Sequence, residues 1–170
     1  MKAISLLQPW ASLIACKAKT CETRSWRPAH LGPLAIHASA RFPAEFRKLC
    51  DEWPFCKYVM RDLPLGAIVA VARLVKIETT DRWRERYVPN ADPRLDEECE
   101  FGDYGLGRYA WHLMDVIALP APIPCKGSLS LWTVPPDVEA QLCEALNHGT
   151  GGTASAVSQA SLFEMSATHP

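Results

Sequence analysis

The stretch from Ser5 to Arg27, SLLQPWASLIACKAKTCETRSWR, decides how the rest of the chain is read. Trp10, Leu13, Ile14 and Lys17 fall at i, i+3, i+4 and i+7. Pro9 suits the first helical position, where its missing N–H costs nothing, so the spacing predicts a short amphipathic helix over Pro9 to Ala18. From Thr20 to Trp26 the pattern changes to alternation. That predicts a strand with Cys21, Thr23 and Ser25 on one face and Glu22, Arg24 and Trp26 on the other. Lys19 stands at the junction, giving a Lys-x-x-Glu-x-Arg cluster flanked by tryptophan.

Residue types leave three readings of this cluster open. It can be a solvated strand edge with a surface ion pair worth only ~0–1 kcal/mol. It can be an anion site, with Lys19 and Arg24 neutralising a phosphate while Glu22 fixes the direction of the Arg24 fork. It can be catalytic, with Lys19 as a base or nucleophile if burial and nearby cations lower its pKa.

The blocks that follow carry a resemblance. SLLQPWASLI, Lys19-x-x-Glu22-x-Arg24-Ser25-Trp26, LAIHAS at Leu34 to Ser39, LPLGAIVAVARLV at Leu63 to Val75, GRYAWHL at Gly107 to Leu113 and PIPCKGSLSLW at Pro122 to Trp132 occur in the order seen in ASCH domains, relatives of the PUA fold. The chain resembles that family from Met1 to about Val134. One position departs: the family signature Gly-x-Lys-x-x-Glu-x-Arg begins with Gly, and this chain has Lys17. If the backbone there requires a positive φ, Lys17 is strained; otherwise it adds a cation to the site.

At 170 residues, with 48% hydrophobic and 22% charged content, the chain can bury one ordinary core. The net charge of −1 hides an asymmetry: residues 1–48 hold eight cations against two carboxylates, and residues 49–107 hold eight against twelve. A basic half around the signature suits a polyanion partner. Seven cysteines without C-x-x-C spacing, and no signal peptide, point to free thiols in a reducing cytoplasm. Cys16, Cys21 and Cys125 lie in apolar contexts and read as core. His30, His37 and His112 are too scattered for a metal triad. No apolar run approaches the ~20 residues of a membrane helix.

In order along the chain, Lys2 to Leu6 reads as the first strand and Pro33 to Ser39 as another, with His37 as a hydrogen-bonded structural residue. Pro43 to Trp53 reads as a helix plugging one side of a barrel. Ala67 to Ile77 is a central strand that emerges into solvent at Glu78. Thr79 to Glu100, with Arg82, Arg84, Arg86 and Arg94, reads as a mobile insertion with a short helix, a solvated lid first and a nucleic-acid contact second. Phe101 to Gly107 has three glycines but no Gly-Lys-Ser/Thr, so it is a turn and not a phosphate loop. Arg108 to Ala118 returns as a strand, Leu119 to Pro124 links, and Lys126 to Val134 closes the sheet. Trp111 and Trp132 read as barrel core. Asp137 to Asn147 is a packing helix.

The fold expected is α+β and mainly β: a small, partly open PUA-like β-barrel with peripheral helices over 1–148, followed by a flexible tail over 149–170. The resemblance implies a cleft between the signature helix and the barrel, lined by Gln8, Trp10, Lys19, Glu22, Arg24, Arg108 and Lys126, with RNA or a modified nucleotide as ligand. Phosphate neutralisation then falls to Lys17, Lys19, Arg24, Arg27 and Lys126, and base stacking to Trp10 or Trp26. The partner expected is single-stranded RNA or another single strand, with no cofactor and no metal.

An alternative is a metal-independent hydrolase. One bacterial branch similar to ASCH domains cleaves N4-acetylcytidine with a Lys, a Thr three residues later and a Glu on the long strand. Lys19 matches the Lys and Glu78 the Glu; Glu22 occupies the Thr position, between Thr20 and Thr23. Other members resemble ribonucleases, for which Lys19 with Glu22 or Glu78 would act as acid and base.

In the tail, Gln159-Ala160-Ser161-Leu162-Phe163 resembles the Gln-Leu-Ser/Asp-Leu-Phe peptide that docks on the bacterial sliding clamp. Ala160 replaces the usual Leu. Gln159, Leu162 and Phe163 are therefore candidate partner-binding residues, and the competing reading is that Leu162 and Phe163 cover apolar surface on their own barrel.

Overall fold

The structure, a computed structural model, describes residues 1–149. Gln159, Leu162 and Phe163 lie outside the described residues. Six strands form one mixed sheet curved into a half-barrel: β1 (Lys2–Leu6), β2 (Cys21–Arg24), β3 (Gly32–Ala38), β4 (Ala67–Thr79), β5 (Tyr109–Pro124) and β6 (Leu131–Thr133), in the order β2-β5-β4-β3-β1-β6. β1 runs parallel to β3, and the other pairings are antiparallel. This is the mainly β, partly open barrel with peripheral helices that the sequence predicts.

Alternation along the strands feeds two cores. Ile4, Leu6, Leu34, Ile36, Leu74 and Trp111 face α1 (Trp10–Ala15), while Ala3, Ala35, Ile68, Val71 and Ile123 face the last helix of the described chain, where Val138 and Leu142 are buried. A sheet covered on both sides needs strands apolar on both sides, which accounts for the unbroken run Ala67 to Ala72 in β4. A third cluster joins Leu13 to Phe42, Cys50, Phe55 and Phe101 beside α2 (Ala44–Leu49).

Several expectations shift. α1 stops at Ala15 rather than Ala18 because Lys17 adopts φ +65, and Ala18 N–H and Lys19 N–H both return to the Leu13 carbonyl. That left-handed residue stands where the ASCH signature has Gly, and a non-Gly side chain costs roughly 1–2 kcal/mol there. α2 is shorter than predicted, and Trp53 lies outside it, exposed, with the Lys57 ammonium over its ring. β5 runs through the Pro-rich segment. Among the described residues no strand pairs with its second edge beyond His112, so the N–H groups that Pro120, Pro122 and Pro124 lack are not needed for a ladder there. β6 is only three residues, since Ser130 at φ +57 breaks the segment before it.

The largest difference is residues 79–100. They form two packed helices, α3 (Thr80–Arg86) and α4 (Pro93–Glu100). Thr79 caps the first by accepting from Arg82 N–H, and Asp92 caps the second by accepting from Arg94 N–H, with Pro93 opening it. Trp83 is buried, and Glu78, expected to reach solvent, is buried under α3. α5 (Pro136–Gly149) closes the described chain as predicted, on its Val138 and Leu142 stripe.

Candidate nucleic-acid interface

The register of β2 on β5 divides the signature between the two faces of the sheet. Glu22 stands opposite Trp111 and Arg24 opposite Tyr109, on the face toward α1. Arg24 Nε lies 2.9 Å from Glu22 Oε1 as an ion pair without hydrogen-bond geometry, and Arg24 donates to the Ser5 carbonyl at 3.2 Å. Trp26 packs edge-on against Trp111 at 4.7 Å. Two residues expected to contact ligand have structural duties here. Gln8, fully buried, accepts from Ser12 N–H and donates to Ser12 Oγ and the Pro64 carbonyl, and Trp10 packs edge-on to Phe46.

Lys19 and Cys21 take the other face. Lys19 is 1% exposed, with Nζ 3.6 Å from Glu98 Oε1 and no hydrogen-bond partner. Glu98, which the sequence reading did not single out, accepts from Thr20 N–H at 2.6 Å, Thr20 Oγ at 2.9 Å, Cys21 N–H at 3.2 Å and the Tyr104 hydroxyl at 2.9 Å. Gly102 lies against this group. A Cβ there would stand 2.7 Å from the Tyr104 ring and 3.2 Å from Lys19 Nζ. Thr23 Oγ accepts from Asp103 N–H, and Arg108 ties the same loop to β2 through Asp103 and the Thr23 carbonyl. Burial, with the Glu98 charge second, pushes the Cys21 thiol up to about 12, so it is a neutral thiol beside His112 Nδ1 at 3.3 Å.

His112 continues to the open part of this face. Its Nε2 is 2.6 Å from Glu78 Oε1; Lys76 donates to Glu78 Oε2 at 3.0 Å, and Arg86 to Glu78 Oε1. Burial raises the Glu78 pKa, but the bonds from Arg86, Lys76 and His112 together outweigh it and hold the carboxyl at about 2, ionised at neutral pH. Around this hub opens a groove of about 530 Å³ lined by Arg27, Lys76, Thr79, Arg82, Arg86 and Tyr109, with Glu78 and Glu85. Four cations against two carboxylates, beside one aromatic ring, give the groove a net positive lining.

Of the expected residues, Arg27 and Glu78 line this groove. Lys17 and the Lys19–Thr20 segment line a separate, smaller cleft of about 210 Å³ with Leu113 to Val116. Lys126 is exposed on the segment between β5 and β6, where Gly127 packs on His37, whose Nε2 bonds the Cys125 carbonyl. The sequence reading passed over Lys76 and Tyr109 and took Arg82 and Arg86 for a solvated loop. The available signal was the Thr79 cap: with a helix from Thr80, Arg82 and Arg86 fall at i and i+4 on one face. All seven cysteines are free thiols, as expected, although Cys16 is exposed and Cys125 half-buried rather than core. Among the described residues no helix is long and apolar enough to cross a membrane, and no group of His, Cys, Asp or Glu could hold a metal ion.

Comparison with known proteins agrees with this architecture. A crystal structure of ASCH from Zymomonas mobilis superposes with a TM-score of 0.52 at 17% identity, covering 84% of this chain and 93% of that one. A tyrosine-to-phenylalanine mutant of the same Zymomonas mobilis protein gives 0.51 at 18% identity, covering 84% and 96%. No curated protein matches the chain. The ASCH domain model matches residues 4–122, most of the barrel from β1 through β5, and the chain therefore belongs to the ASCH domain family.

Proposed function

We propose that this protein binds single-stranded nucleic acid, RNA foremost, in the groove between β4 and α3. The observation that carries the reading is the convergence of Arg27, Lys76, Arg82 and Arg86 beside Tyr109, with Glu78 fixing Lys76 and Arg86 in place. Family membership supports it, since ASCH domains are generally linked to RNA binding. A single strand suits the site because an unpaired base can turn onto the Tyr109 ring while its phosphates meet the guanidinium groups.

The geometry favours binding over hydrolysis through Lys19 with Glu22 or Glu78. The Lys19 ammonium is enclosed by Glu98, Glu22 is engaged by Arg24, and a carboxyl held at about 2 is a poor base near neutrality. Of the two nearby threonine hydroxyls, Thr20 donates to Glu98 and Thr23 accepts from Asp103 N–H.

Fluorescence anisotropy of a labelled single-stranded RNA tests the reading. Binding should weaken with salt at a log–log slope of roughly −0.7 per phosphate contacted, so three contacts give about −2. Binding that ignores salt, or none at micromolar protein, removes the proposal.

A further inference from the structure

Glu78 takes both Lys76 and Arg86, but three other charged groups in the groove are uncommitted. Arg27, Arg82 and Glu85 make no side-chain hydrogen bond or ion pair with another described residue. Free cations suit phosphates. A free carboxylate beside them does not, because it repels the same phosphates and lowers the affinity that the cations supply. We propose, taking the groove as the nucleic-acid site, that Glu85 is its specificity-determining residue and reads an unpaired guanine by accepting from the N1–H and the N2 amino group of the base.

The position of Glu85 follows from α3. Thr80 and Trp83 are buried under the helix, and Arg82, Glu85 and Arg86 share the side that lines the groove. Arg82 and Glu85, at i and i+3, are neighbours there and still leave each other unpaired. The groove, about 530 Å³, has room for a nucleotide, and Tyr109 supplies a ring on which a base can lie. With phosphates at Arg27 and Arg82, Glu85 is the uncommitted acidic group left for the edge of the base.

The chemistry of a carboxylate selects the base. Ionised, it only accepts, through two oxygens side by side. Guanine is the one standard base with two adjacent donors on its pairing edge, and in a single strand that edge is free. Adenine and cytosine set one amino group beside a bare ring nitrogen, and uracil sets one N–H between two carbonyls. Each of these turns an acceptor toward a carboxylate oxygen. Two charge-assisted bonds from guanine offset the repulsion between Glu85 and the phosphates, whereas the other bases leave it standing. One side chain thus both attracts the matching base and penalises the others.

The test is fluorescence anisotropy of the full chain at fixed low salt with labelled oligouridine strands, unmodified or carrying one central guanosine, inosine, adenosine or cytidine. Wild type should bind the guanosine strand about tenfold more tightly than the adenosine, cytidine and uridine strands, with inosine, which lacks the N2 amino group, in between. Glu85 is exposed, so Glu85→Gln should keep the wild-type Tm. Its amide sets a donor against the donors of guanine, and the variant should bind all the strands within about twofold of one another. It should also bind the uridine strand at least as tightly as wild type does, since a repelling charge has gone. A guanine preference that survives in Glu85→Gln, or equal binding of every strand by wild type, overturns the proposal and leaves the groove as the nucleic-acid site. Loss of every strand alike in Glu85→Gln would make Glu85 structural and overturns it too. Wild type that binds no strand, or binds all without regard to salt, overturns the groove itself and this proposal with it.

Discussion

Glu98 and Glu78 each gather donors on the sheet face that α3 and α4 adjoin, and both are nearly buried, at 3% and 7% exposure. Their partners differ. Glu98 meets an ammonium that is 1% exposed, the amides of Thr20 and Cys21, the hydroxyl of buried Tyr104 and that of Thr20, the one exposed residue among them. Glu78 meets Lys76, Arg86 and His112, whose side chains are 55%, 55% and 25% exposed. The same group therefore closes one site and holds the other open. Burial of the partners decides whether a carboxylate cluster serves stability or presents cations to a ligand.

The largest effect that can break this contrast is on stability. Glu98→Ala leaves a buried ammonium and several donors without an acceptor, and in chloride it should cost about 3–5 kcal/mol in urea unfolding. Glu78→Gln should cost less, about 2 kcal/mol at neutral pH, because its former partners can be hydrated. Equal losses from the two would erase the distinction.

Acid titration sharpens it. The folded Glu78 carboxyl ionises at about 2 against an ordinary 4.5, so the unfolded chain takes up the proton first. Its contribution is whole above about pH 4.5 and is lost as pH falls toward about 2. Stability against pH should fall less steeply across that window in Glu78→Gln than in wild type. Identical acid limbs would mean that Glu78 is not held by its cations.

Much of this arrangement was legible in the sequence, and the remainder was not for identifiable reasons. Alternation in Thr20 to Trp26 placed Cys21 and Glu22 on opposite faces correctly, because β2 pairs with β5 without a register shift. Trp111 followed from the same alternation, and the α5 stripe of Val138 and Leu142 from helical spacing. Lys19 was legible as a chemically loaded residue but its environment was not. Its partner Glu98 lies far along the chain on α4, and no local pattern announces that a carboxylate will fold inward over it. Thr79 to Glu100 was read as a mobile insertion with one short helix rather than as α3 and α4, because charge and a high arginine count outweighed two cap signals, Thr79 and Asp92-Pro93.

Lys17 gives a smaller test of a local reading. Its φ of +65 is the conformation the family's Gly would take without strain. Lys17→Gly should raise stability by about 1 kcal/mol and leave the groove's affinity unchanged, since Lys17 lies in the other cleft. A loss of stability would mean that the lysine side chain contributes more than its backbone strain costs.

The central claim is that the open cluster binds and the closed one does not. It is tested most directly by comparing single-stranded RNA affinity in wild type, in Arg82→Ala/Arg86→Ala and in Lys19→Met, each confirmed folded. The double variant should lose tenfold or more in affinity at low salt and flatten the salt slope by roughly 1.4, two phosphate contacts' worth, while Lys19→Met stays within about threefold of wild type. Undiminished binding by the double variant, or a larger loss from Lys19→Met than from the two arginines, would contradict the account and return the nucleic-acid site to the buried lysine.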